Sequence, residues 1–304
     1  MEDNDKYVKG SVASKGSKGS NIVLAIIPMV VGLAVQGTVS VILTGAYMVF
    51  YFINHPEVIR PSTGVVDYGG LVNALYDSGF FSTILFIATF ATLVVGFFWY
   101  RGVFRKEDAG IKSLSPKIFL PMVLLGIGGQ FVISLVLTKV TEIIPAGITE
   151  QYSQMMESVL AEGNVFLSAV STVILAPMAE ELLYRGISLG YAKRSLSVIS
   201  AALLQAVLFG IYHANIIQGV YAFLIGLVFA YVYLLFNTIW ASILLHACFN
   251  AAAYLSVLMG GLIESEFAIN CIMLVAGLGF SFLGFKLLPW AKKENATDNV
   301  AENA

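Results

Sequence analysis

Eight apolar stretches of membrane-crossing length follow one another along the chain, at 22–53, 79–100, 118–138, 165–190, 196–214, 217–236, 239–260 and 267–289. A helix needs about 20 apolar residues to cross a hydrocarbon core of about 30 Å. The pattern therefore predicts an all-α, polytopic membrane protein of about eight transmembrane helices. The first stretch is longer than a bilayer requires, and a tilt or a kink at Pro28 is expected there. Between Leu196 and Phe236 there is no charged residue; the polar run from His213 to Gly219 divides this stretch into two segments. Thr141–Glu162, between the third and fourth segments, predicts an amphipathic surface helix. Residues 1–20 are polar and read as a disordered tail, 21–290 as the membrane domain, and 291–304 as a second tail.

Composition agrees with this pattern. The chain is 58% hydrophobic and 12% charged, against about 25% charged in soluble domains; its mean hydropathy is +0.83. The net charge of −2 gives no footing for nucleic acid. The placement of charge says more than its sum. With the N-terminus inside, 15 of the 17 basic residues fall on the inner side, and Arg60 and Lys139 alone fall outside. The outer loops carry Glu57, Asp67, Asp77, Glu142, Glu150, Glu157, Glu162, Glu264 and Glu266. An N-in, C-in topology with both termini cytoplasmic follows. Cys248 and Cys271 sit in apolar runs and read as small buried hydrophobes rather than a disulfide. No internal repeat of the transporter kind is evident.

Against this apolar background one stretch stands out, Pro177-Met178-Ala179-Glu180-Glu181-Leu182-Leu183-Tyr184-Arg185-Gly186. Charges at membrane depth cost about 2.5–3.5 kcal/mol each and face protein or water rather than lipid. Glu181 and Arg185 are four apart and share a helical face, so they form an ion pair. Glu180 is turned about 100° away and has no cationic partner in its own helix; it is the candidate general base. Downstream, Phe209 and His213 share one face, and His246 and Asn250 share another. His55, beside Pro56, reads as a solvated loop residue. Two histidines, two glutamates, an arginine and an asparagine across three helices make a set suited to hydrolysing a peptide bond with water. A carboxylate takes the proton, an imidazole positions the water, and imidazole and amide donors stabilise the oxyanion. Glu180, His213 and His246 also form a two-histidine, one-carboxylate set known for zinc. Spacing leaves zinc and a metal-free site both open.

Glu180-Glu181-x-x-x-Arg185, Phe209-x-x-x-His213 and His246-x-x-x-Asn250, in this order on successive membrane segments, resemble the three motifs of the CPBP family. These are the CAAX proteases and bacteriocin-processing enzymes, or Abi family, and include the type II CAAX prenyl endopeptidases. Each motif alone is weak; together, in so apolar a chain, they are specific. They cover roughly 170–255, within a family-like core of about 115–260. The resemblance implies an eight-helix intramembrane endopeptidase of a bacterial cell membrane, cutting near the cytoplasmic side. In it Glu180 and His213 activate water, His246 and Asn250 form the oxyanion hole, and Glu181, Arg185 and Phe209 support the site. The implied partners are the bilayer and a membrane-associated peptide or protein, prenylated in the family's eukaryotic members. The family carries both metallo- and glutamate-protease labels, so the cofactor is zinc or none. The rival classes are a non-catalytic bacteriocin-immunity or scaffold protein and a small-solute transporter with a Glu/Arg relay. Counting from the inner surface puts Glu180 and His246 about 10–15 Å deep but His213 about 25 Å deep, so their meeting requires a late, tilted or broken fifth helix.

Overall fold

The computed structural model describes residues 17–59, 70, 75, 79–161, 163–263 and 265–301, and no strand occurs among them. The predicted tail over 1–16 and the loop residues Arg60, Asp67, Asp77, Glu162 and Glu264 lie outside the described residues. Among the described residues the long apolar segments are helical, because hydrocarbon offers no partner to a free backbone N–H or C=O. In order, the helices are α1 (Lys18–Asn54), α2 (Phe80–Val103), α3 (Phe119–Thr141), α4 (Ala146–Leu160), α5 (Val165–Lys193), α6 (Val198–Tyr212), α7 (Ile216–Phe236), α8 (Ile239–Leu262) and α9 (Glu266–Ala301). Polar side chains start several of them: Ser17, Ser197, Asn215 and Thr238 each accept from a backbone N–H in the first turn of the helix that follows. Pro28 lies within α1. The helix expected in 141–162 is α4, and α9 continues unbroken to Ala301, into the segment read as a tail.

Among the described residues seven helices are long and apolar enough to cross a membrane. The exception is α6, read from the sequence as a full span. Its 15 residues rise about 22 Å, short of a hydrocarbon core of about 30 Å. It ends early at a tight turn: His213 closes α6, Ala214 has φ 52° in the left-handed region, and Asn215 caps α7. Gly210 and Gly219 let α6 and α7 meet there, since a Cβ on Gly210 would lie 2.6 Å from the Gly219 carbonyl oxygen.

This short helix resolves the mismatch in depth. Glu180 precedes Lys193, the C-terminal end of α5, by about 20 Å, and His213 follows Val198 by about 22 Å. His246 lies only seven residues into α8, but α8 does not begin at the surface. Thr238 and Ile239 are buried beneath the α2–α3 connection. There Asp108 Oδ1 accepts from Gly110 N at 2.6 Å and Thr238 Oγ1 at 2.9 Å, and Oδ2 accepts from Ile239 N at 2.7 Å. The connection thus roofs the start of α8 and sets His246 deeper than a residue count suggests.

Small residues bring the helices close. On α5, Gly186 receives the Tyr100 ring and Gly190 the Phe104 ring. On α3, Gly126 lies against the backbone of α8 at Cys248 and Phe249, midway between His246 and Asn250. A Cβ at Gly126 would stand 2.5 Å from Cys248 Cβ and 2.7 Å from its carbonyl carbon. Gly126→Ala should therefore destabilise the fold by about 1–3 kcal/mol through overpacking. Gly45→Ala, on α1 with open space around it, serves as the control. Thermal unfolding in detergent checks this, and equal midpoints for the two variants contradict the packing.

Candidate active site

The site is assembled from α5, α6 and α8, with α7 packed behind it. Pro177 removes a backbone N–H and crowds the carbonyl four residues earlier. The helix widens around it. Residues Val170–Leu175 and Leu182–Ser188 form π turns on either side of the α-helical Ala176–Glu181. Such wide turns are frequent at functional sites. Both glutamates lie in the α-helical part and both are buried, Glu181 completely and Glu180 with 9% of its surface exposed.

Glu181 faces the protein. Its Oε1 accepts from Arg185 NH1 at 2.8 Å and from His246 Nδ1 at 2.9 Å. Arg185, fully buried, also donates from NH2 to the Gly226 carbonyl at 3.0 Å. Its guanidinium carbon lies 4.5 Å from the Phe209 ring and 5.1 Å from the Phe229 ring. The expected i,i+4 ion pair is present, while Arg185 Nε and Glu181 Oε2 are buried without a hydrogen-bond partner.

Glu180 faces a cavity. It lines a volume of about 350 Å³ together with His213, His246 and Asn250, while Glu181 and Arg185 are absent from its wall. The 100° offset read from the sequence thus separates the two carboxylates. Glu180 Oε2 is 3.7 Å from His246 Nε2, near enough for Coulomb attraction and too far for a hydrogen bond. His213 Nδ1 donates to the Phe209 carbonyl at 2.8 Å. Since a carbonyl can only accept, Nδ1 carries the proton and Nε2 is the nitrogen left to the cavity. The same reasoning assigns the proton on His246 Nδ1, which meets a carboxylate. Phe209 stands among the charged and imidazole groups, its ring 4.8 Å from that of His213 and 6.0 Å from that of His246. Asn250 Nδ2 donates to the Thr172 carbonyl, in the first π turn, at 2.8 Å.

Several contributors were not legible in the sequence. Phe229 stacks on His246 at 4.5 Å, Gly226 supplies a carbonyl to Arg185, and the hydroxyls of Thr172 and Tyr254 are 2.9 Å apart on the cavity wall. Only the π turns had a signal, Pro177. The amphipathic α4 also gains a place: its Tyr152, Met155 and Met156 line the same cavity. His55 lies far from this set in sequence, at the C-terminal end of α1, and does not line the cavity.

Zinc does not fit the residues as arranged. Among the described residues no three His, Cys, Asp or Glu side chains form a metal-holding group. Glu180, His213 and His246 share a cavity but do not form such a group.

The two glutamates should differ in their effect on folding. Glu181→Ala leaves Arg185 buried without its charge partner, at about 3–5 kcal/mol, and should lower the yield of folded protein. Glu180→Gln breaks no hydrogen bond and should fold normally. Size-exclusion profiles and unfolding midpoints of the purified variants test this; equal losses contradict the division of roles.

Residues 162–252 match the family model described as Type II CAAX prenyl endopeptidase Rce1-like. No curated protein and no solved structure matches the chain. The matched stretch contains all three motifs and, on the cavity wall, Glu180, His213, His246 and Asn250; Tyr254 of α8 lies just beyond it. Over residues 162–252, less than half of its length, the chain is therefore similar to the Rce1-like type II CAAX prenyl endopeptidases, which supports a membrane endopeptidase in general.

Proposed function

We propose that this protein is an intramembrane endopeptidase that cuts a peptide bond near the cytoplasmic side of a bacterial cell membrane, with both termini cytoplasmic and without a bound metal. One observation carries the reading. Of the two adjacent buried carboxylates, only Glu180 opens onto the cavity, and it does so beside both imidazoles and the asparagine amide.

In this reading a water between Glu180 and His213 is the nucleophile. The His213 Nε2 lone pair orients it and Glu180 takes its proton. The water oxygen bonds to the substrate carbonyl carbon, and the carbonyl oxygen becomes an oxyanion. Asn250 gives Thr172 one of its two amide N–H groups and has the other for that oxygen. His246, held through Nδ1 by Glu181, donates from Nε2 when it carries both protons. Glu180 then passes its proton to the leaving amine as the C–N bond breaks, releasing a carboxylic acid and an amine. Arg185 and Phe209 touch no reacting atom; they fix Glu181 and the imidazole rings. The apolar remainder of the cavity, with α4 over it, suits a membrane-associated peptide or protein, prenylated or not.

Glu180→Gln should abolish turnover in a folded protein. Asn250→Ala, which removes one oxyanion donor, should lower kcat by about 10²–10³ and change KM little, because that bond strengthens only in the transition state. Purified protein incubated with a peptide library, read by mass spectrometry with Glu180→Gln as the blank, supplies the assay. Full activity after dialysis against a strong chelator is the expected result. Activity that disappears and returns only with zinc would overturn the metal-free roles of His213 and His246.

A further inference from the structure

A second cavity, of about 390 Å³, lies on the other side of α5 from Glu180. Met178 and Leu182, four apart on one face, line it, whereas Glu180 is turned about 200° from Met178. Leu93 and Phe97 of α2 and Ile243 of α8 complete an apolar lining. Phe97 is 44% exposed, so this lining reaches the outer, lipid-facing surface of the bundle.

The cavity is basic at one end. Arg101 and Arg105 both line it, and among the described residues neither makes an ion pair. Arg105 rests against Gly110 and reaches only the Asp108 carbonyl, at 3.4 Å. The one acidic residue on the wall, Asp108, is committed elsewhere: its two carboxylate oxygens accept three hydrogen bonds from Gly110, Thr238 and Ile239. Trp240 also lines the cavity, and tryptophan is enriched at headgroup level. A guanidinium fork matches phosphate geometry, and basic pockets between membrane helices suit anionic headgroups. An apolar lining that opens to the bilayer has no role for a free phosphate but accommodates an acyl chain.

We propose that the cavity between α2, α5 and α8 binds a phospholipid, its phosphate held by Arg101 and Arg105 and an acyl chain laid along Leu93 and Phe97. The inference is independent of the peptidase reading, and its test does not use turnover.

The test uses the full chain purified in neutral detergent with Trp99→Phe and Trp290→Phe, which leaves Trp240 as the one indole of the chain's three. Phosphatidylglycerol with brominated acyl chains is titrated and Trp240 quenching recorded. Saturable quenching is expected, weakened roughly fivefold by Arg101→Gln and again by Arg105→Gln. Unfolding midpoints establish that these variants fold. Leu93→Phe, which fills the cavity and keeps both arginines, should also reduce quenching and provides a second reading if an arginine variant fails to fold. Displacement of the lipid by millimolar inorganic phosphate would overturn the proposal, since the site would then read a free anion. Quenching equal in all variants, and equal with brominated phosphatidylcholine, would mean ordinary surrounding lipid and would overturn it too.

Discussion

A single carboxylate oxygen, Glu181 Oε1, accepts from Arg185 on its own helix and from His246 on another. Neither donor has water to turn to. The residues are buried in a bundle whose outer surface is hydrocarbon-facing, and a charge left alone there costs several kcal/mol. That penalty fixes the register of α5 against α8. Once Glu181 turns inward to its partners, helical geometry turns Glu180 toward the cavity. The same bond fixes the His246 ring and its tautomer, so Nε2 faces Glu180.

The remainder of the bundle can be read as what makes that bond possible. Gly126 lets α3 pack against α8, and Gly186 and Gly190 let α5 take the Tyr100 and Phe104 rings. The roof over Thr238 and Ile239 sinks the start of α8. The short α6 ends at the level of the glutamates rather than at the far surface. Phe209 and Phe229 enclose the guanidinium. The result is an arginine that no solvent reaches beside a cavity large enough for a peptide segment.

Much of this was legible in the sequence because it is local. Segment ends came from where apolar runs stop, and they fall within a few residues of the helices, as with 239–260 against Ile239–Leu262, except at the end of the last, where 267–289 meets a helix that runs to Ala301. The Glu181–Arg185 pair and the outward turn of Glu180 followed from 3.6 residues per turn. What escaped is non-local or depends on depth. Nothing in the spacing of His246 announces that its Nδ1 will find Glu181 65 positions away. The turn after α6 was legible from the polar run at His213–Gly219, but the segment 196–214 took in the cap Ser197 and the turn residues, and the helix itself is Val198–Tyr212. A residue count along α8 alone also leaves out the connection that covers Thr238 and Ile239. The π turns were missed although Pro177 marks their cause.

If Glu181 and Arg185 serve to hold His246 rather than to react, replacing both at once separates folding from chemistry. A buried ion pair exchanged for apolar residues of similar volume is often neutral or stabilising. Glu181→Met with Arg185→Leu removes both charges together, and leaves His246 Nδ1 without its acceptor. The measurement is folded yield and peptide turnover of this double variant beside Glu181→Ala. The account predicts that yield recovers toward that of the unaltered protein while turnover stays lost. Turnover returning in step with yield would contradict it, because His246 would then need no partner in Glu181.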